Sequence, residues 1–300
     1  MANYVTLYQV KDYLDIQSTT KDDGRLLEFI EMSSRLIEAY KVRSYEPQVE
    51  TRKYDLPGSR RGAALGTYDA FYALPQMVLP LRLDEGLLEC SELLNGDFDE
   101  IVSGDYVLEP ANKFPKTRIR LRMASGVAWL PDLDGYVEQV IEVTGIWGNH
   151  DRYGQAWVDA LDTVRDNPLT AGDTSISVVN ADGLAGDGRA MRFQAGNLVR
   201  MGSEFALVLS VDVLTNTLEV ARGVNGSTAA QQAQGTKIEI WRTQSTIAQA
   251  CLRLVKWRYG QKDADDFDKS YVMGSGVVTV PARLPADVVQ VLGAPGRMSV

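Results

Sequence analysis

At 300 residues, 45% of them hydrophobic and 24% charged, the chain has the composition of a soluble protein with one large domain or two moderate ones. Its formal charge of −9 argues against a domain that grips nucleic acid by neutralising phosphates, although DNA can still pass nearby. No window approaches the roughly 18 consecutive apolar residues of a membrane span, and the start, Met1-Ala2-Asn3-Tyr4, lacks the basic and apolar segments of a secretory signal, so synthesis and retention in a cytoplasm are expected.

In chain order, Tyr4 to Leu14 predicts a short helix. A longer one follows, because Leu26, Ile30, Ser33, Ile37 and Tyr40 recur at helical spacing, with Leu27, Phe29 and Leu36 widening the stripe. Thr20 or Asp22 is its expected cap. From Val49 to Val143 the pattern changes to short runs broken by Gly, Pro, Asn and Asp, and the alternation in Arg118-Ile119-Arg120-Leu121-Arg122-Met123 predicts a strand with one wet face. The Gly/Ala-rich stretch Gly58 to Ala73 reads as a long loop, and "YGQAWVDALDTV" as a short helix.

Asn167-Pro168 then breaks the chain, and Leu169 to Arg242 reads as strand and turn throughout. Helical periodicity returns in "TQSTIAQACLRLVKWRYG", where Ile247, Cys251, Leu254 and Val255 share a face. Helix, β module, helix is the pattern of an insertion into a helical host. After the charged hinge "QKDADDFDKS", Val277 to Val280 predicts a strand and Pro285-Ala286-Asp287 a helical turn over Val288 to Leu292. Such a tail, with apolar patches and no core of its own, is expected to dock on something else.

Little in the sequence reads as chemistry. His150 is the sole histidine and no Gly-x-Ser-x-Gly elbow occurs, which argues against a hydrolytic triad and a histidine-based zinc site. Cys90 and Cys251 are read as small buried hydrophobes. Asp132 and Asp134, and Asp182 to Asp187, resemble calcium loops but lack the closing glutamate, so turn residues are the better reading. "RGVNGST" lacks the Lys-Ser/Thr of a phosphate loop and a helix behind it; Gly223, Asn225 and Gly226 are read instead as the turn of a β hairpin. Arg253, Lys256 and Arg258, interleaved with Trp257 and Tyr259, point to packing or intersubunit contact ahead of a phosphate backbone.

The stretch Asp84 to Glu109 holds no Lys or Arg, and its acids Asp84, Glu85, Glu89, Glu92, Asp97, Asp99, Glu100, Asp105 and Glu109 form either a solvated face or a negative surface that repels a polyanion or meets a basic partner.

The segment "FQAGNLVRMGSEFALVLSVDVLTNTLEVARGVNGSTAAQQAQGTKIEIWR" resembles a module of tailed-phage structural proteins. The surrounding chain, through "YVTL", "RLLEFIEMSSRLIEAY", the "VTGIWG" turn and "IAQACLRLVKWRY", resembles the head–tail connector (adaptor) family of long-tailed phages, most strongly over 1–45, 137–160 and 191–260. The resemblance implies an α+β chain: a helical-bundle connector core with a β-hairpin region over 1–168, an inserted small all-β module, barrel or sandwich-like, over 169–242, and a core-completing helix with an extended tail over 243–300. It implies a ring of copies, usually twelve, in the virion neck, assembled in the host cytoplasm. The implied partners are the portal, a tail-proximal neck or tail-terminator protein, and DNA passing through without specific binding, with no membrane, cofactor, metal or catalytic residue.

By the same resemblance, the portal-binding tail falls on Gly276 to Val300, with Val277, Val278, Val280, Leu284, Val288, Val289 and Leu292 as its contacts, and the acids become candidate channel or interface residues. The rival expectation is a carbohydrate-binding or glycan-cleaving tail component using acids between Asp84 and Asp105. A sequence-independent DNA-binding head protein is the third.

Overall fold

The structure is a computed structural model describing residues 3–58, 79–97, 99–188, 191–261, 270–271, 278–279 and 284–294. The chain divides into two compact units, Met1–Tyr45 with Gly154–Val300, and Glu46–Tyr153. The loop expected at Gly58 to Ala73 lies, apart from Gly58, outside the described residues.

In the first unit, helices α1 (Leu7–Leu14) and α2 (Asp23–Lys41) form where the periodicity predicts. Thr6 and Gln9 close a reciprocal capping box on α1, each side chain taking the other's backbone N–H. Leu26, Ile30 and Ile37 of α2 are fully buried.

The second unit is one antiparallel sheet. Its strands are β1 (Gln48–Tyr54), β2 (Leu81–Asn95), β3 (Asp99–Glu100), β4 (Tyr106–Glu109), β5 (Lys116–Leu121) and β6 (Ile141–Trp147), in the order β1-β6-β2-β5-β4 with β3 beside the end of β2. The long β2 pairs with β5 through its first residues and with β6 through its last. Gly86 stands at the changeover: a Cβ there would lie 2.4 Å from Pro115 and 2.6 Å from the Gly148 carbonyl. At Gly145 a Cβ would lie 2.1 Å from the Glu89 carbonyl, so the crossing of β2 and β6 needs glycine. Trp129, Trp147, Leu87, Ile119 and Ile141 fill the core under this sheet.

Back in the first unit come β7 (Trp157–Thr163), β8 (Ser175–Ser177), β9 (Leu198–Met201), β10 (Glu204–Asp212), β11 (Thr217–Arg222) and β12 (Lys237–Trp241), in the order β7-β12-β9-β10-β11-β8. A bridge between Val164 and Val178, backed by a 2.8 Å bond from Arg165 N to the Ser177 carbonyl, joins the two outer strands and closes the sheet into a barrel. Phe193, Met201, Val208, Leu218 and Ile240 pack its interior. Helices α3 (Ser245–Gly260) and, after the short β13 (Ser270–Tyr271) and β14 (Val278–Thr279), α4 (Ala286–Leu292) complete one apolar cluster with α1 and α2. Thr6 Oγ1 donates a 2.6 Å bond to Gln194 Oε1, tying the start of α1 to the barrel.

This overturns the expected fold class. Two six-stranded antiparallel sheets dominate the described residues, and the four helices form a minor layer in place of a helical-bundle core. Much of the difference lies in "YGQAWVDALDTV", expected as a helix and found as a helical turn at Tyr153–Gln155 followed by strand β7. Its apolar residues fit either period, and pairing of Trp157 with Trp241 and Val158 with Ile240 decides for the strand. The barrel therefore begins at Trp157, ahead of Leu169.

Candidate functional site

Gly223, Asn225 and Gly226 all adopt positive φ, at 62°, 52° and 78°, and Ser227 N bonds the Val224 carbonyl at 3.1 Å, so a tight turn stands where one is expected. It is not the bend of a hairpin. The next strand, β12, is no neighbour of β11 in the sheet, and the hairpin that β11 does form bends at Val213–Asn216 from β10. The turn instead releases the chain into a loop that crosses to the far side of the barrel.

What holds that loop is Arg222. Its Nε and Nη2 donate to the two carboxylate oxygens of Glu204, Nη1 to the Thr170 and Asp173 carbonyls at 3.1 and 3.0 Å, and Nη2 also to the Ala230 carbonyl at 2.7 Å. All five guanidinium donors are used. Glu204 also accepts from Ala230 N at 3.1 Å and Gln232 Nε2 at 3.2 Å. Burial alone would raise its carboxyl, but the Arg222 guanidinium and these bonds bring it below the ordinary carboxylate value. An arginine so saturated has no donor left for a phosphate.

The candidate acids separate into two groups. Asp84 and Glu85 are held by Arg52, at 3.4 and 2.8 Å, which itself lies 4.4 Å from the centre of the Trp147 ring, and Glu89 accepts a 2.6 Å bond from Tyr153. Glu92, Asp97, Asp99 and Glu100 are exposed along the β2–β3 edge and make no ion pair among the described residues.

A charged face that sequence reading left unassigned lies on β5. Arg118, Arg120 and Arg122 alternate with the buried Ile119 and Leu121, and Arg82 of β2 stands directly opposite Arg118. Like charges facing across a ladder disfavour the pairing. Glu109 of β4 reaches Arg120 at 2.8 Å and Arg118 at 3.6 Å, while Arg82 and Arg122 form no ion pair among the described residues. The alternation in the sequence predicts the wet face; that a fourth arginine joins it depends on the β2–β5 register.

In the tail, Leu284, Val288 and Leu292 are buried against the chain's own helices, Val289 is exposed, and only the backbone of Val278 is described, paired in β14. Val277 and Val280 lie outside the described residues. Lys41 donates to the Leu292 and Ala294 carbonyls at 3.0 and 2.8 Å, and Arg253 pairs with Asp287, so α4 is fixed at both ends.

The remaining candidates have structural partners. His150 is buried and its Nδ1 accepts from Arg152 N at 3.1 Å. Cys251 is buried and its thiol is pushed up to about 12 by burial; Cys90 is only partly buried. Asp132 accepts from Tyr136 N at 2.6 Å, and Asp187 pairs with Arg242 at 3.2 Å. Lys256 sits 5.3 Å from the Tyr13 ring, and Tyr259 donates to Asp22. Among the described residues no cluster of three metal-ligating side chains occurs, and no helix is long and apolar enough to cross a membrane. The Trp157 ring is wrapped by Phe205, Trp241 and the Arg200 guanidinium at 5.3, 5.1 and 4.7 Å.

Apolar side chains are exposed on both units. Met123, Leu133 and Tyr136 project from Glu46–Tyr153, the first two 85% and 90% exposed, and Tyr8, Val213 and Leu214 project from the other, Leu214 at 91%. Tyr8 and Val213 flank an apolar cleft of about 420 Å³ between α1 and the end of β10. Comparison with protein-family models, curated proteins and solved structures gives no match to this chain.

Proposed function

We propose that the chain is a structural, non-catalytic subunit of a phage neck, assembling with copies of itself into a ring that joins portal to tail and lets DNA pass. The resemblance of its helices and β module to connector proteins motivates the reading. The observation that carries it is that each compact unit presents its own exposed large apolar side chains, Met123, Leu133 and Tyr136 on one and Tyr8, Val213 and Leu214 on the other. A subunit of a closed head-to-tail ring needs two different contact patches, where a two-fold dimer needs one. The net charge of −9 suits a channel along which DNA must slide without being held.

The proposed portal contact is the outer side of the tail helix, where Val289 and Val291 are exposed, because Val288 and Leu292 already serve the chain's own core. Light scattering of the purified protein, alone and with portal, tests the reading: a large complex is expected in at least one case. A protein that stays monomeric in both sinks it. Particles lacking the protein are expected to lose DNA or to fail to join tails, whereas assembled particles that cannot adsorb would favour the carbohydrate-binding alternative.

A further inference from the structure

The arginine face on β5 stands out in this unit, because the stretch between Arg82 and β5, Asp84 to Glu109, is rich in acids and holds no Lys or Arg. Arg82, Arg118, Arg120 and Arg122 share the outward side of the sheet, with Arg118 and Arg120 46% and 53% exposed and Glu109 bonded to both. The β5 alternation keeps these side chains out of the core, and Ile119 and Leu121 hold the strand from the other side. Within the same unit, Glu92, Asp99 and Glu100 form an exposed acidic edge where β3 pairs with the end of β2. Neither Arg82 and Arg122 nor these acids find an opposite charge among the described residues.

We propose that the arginine face of one copy receives the acidic β2–β3 edge of the next copy. The two surfaces are complementary in charge: one offers planar guanidinium forks and the other carboxylates, which pair bidentately and orient the contact. Because the two patches are different surfaces of one chain, each copy can give one and take the other, which is head-to-tail assembly. The Arg82–Arg118 opposition, unfavourable in the isolated strand pair, is relieved when carboxylates arrive between them. A nucleic acid backbone would meet the same arginines, but the chain's net charge of −9 opposes it, so a second copy is the better occupant.

This inference rests on the ring reading and is tested on the full chain by charge exchange. Sedimentation velocity at low salt is expected to show self-association that weakens at least about tenfold in R82E/R118E/R122E and again in E92K/D99K/E100K, each with an unchanged melting profile. A mixture of the two variants is expected to recover association, since each supplies the patch the other has reversed in sign. Association of the natural chain that both variants leave within about threefold overturns this contact and leaves the ring reading standing. So does a mixture that fails to recover. No self-association at low salt, where ion pairs are strongest, also overturns it, and the ring reading then depends on assembly upon portal. Duplex DNA followed by fluorescence anisotropy is the further arm: salt-sensitive binding lost only in the arginine variant, with self-association intact, gives the face to nucleic acid and overturns the proposal.

Discussion

In the barrel, Arg222 and Glu204 meet with side chains 4% and 0% exposed. On the Glu46–Tyr153 sheet, Arg120 and Glu109 make a similar contact at 2.8 Å with Arg120 53% exposed. The residue types are the same and the consequences differ. Inside the barrel wall every donor of the arginine is used and the pair pins two loops, at Thr170–Asp173 and at Ala230, so it acts as architecture. On the open sheet the arginines keep unused donors facing solvent, so they remain available to a partner. Burial, more than charge, decides whether an ion pair is a structural rivet or a binding surface.

The largest effect is expected at Arg222. Arg222→Ala leaves the Glu204 carboxylate buried without its counter-charge and frees three backbone carbonyls, a loss of about 3–5 kcal/mol expected from denaturant titration. The double variant R222M/E204M is expected to recover part of that loss, since no charge is then stranded. Equal losses in single and double variants would show that packing, and not charge, fixes the loop.

Next in size is the counterpart on the open sheet, where the constraint is steric. Gly145→Ala puts a methyl group 2.1 Å from the Glu89 carbonyl of the paired strand, which backbone cannot yield cheaply. A cost toward the upper end of about 1–3 kcal/mol is expected, with the Trp147 fluorescence signal lost early in unfolding. A neutral result would mean that β2 and β6 can separate locally.

A smaller effect follows from pH. The folded value of Glu204 lies below its unfolded one, so its contribution is complete above the unfolded carboxylate range and disappears as pH falls through the folded value. Glu204→Gln is expected to cost about 1–2 kcal/mol at neutral pH, and the gap from the natural chain should close in acid. Melting curves at a series of pH values read this directly; a gap constant with pH would assign the cost to shape alone.

The same contrast explains what was legible in the sequence. Helices α2 and α3 were, because Leu26, Ile30 and Ile37, and Ile247, Cys251 and Leu254, repeat at a period only a helix satisfies. The β content of the module was, through alternation and through Asn225-Gly226, whose positive φ is a local property. The hairpin was not, since β11 and β12 are adjacent in sequence and apart in the sheet. Strand β7 was missed because Ala156 to Val164 fits two periods and only contact with β12 separates them. The structural role of Arg222 was not legible, because its acceptors, at Glu204, Thr170, Asp173 and Ala230, are scattered along the chain. The helical host was overestimated for the same reason: strands whose partners are distant leave weak local marks.

The smallest effect on stability is expected at the exposed pair. Arg120→Ala removes one half of an exposed pair, and Glu109 keeps Arg118 at 3.6 Å and solvent besides. Ion pairs of this kind contribute about 0–1 kcal/mol, so the melting temperature should barely move, and added salt should erase whatever difference exists. Self-association is where the variant is expected to show itself, through a slower encounter between copies, because exposed charges steer association more than they stabilise a fold. A large loss of stability in Arg120→Ala would mean that the open face is as structural as the barrel wall, and the distinction between rivet and surface would fall with it.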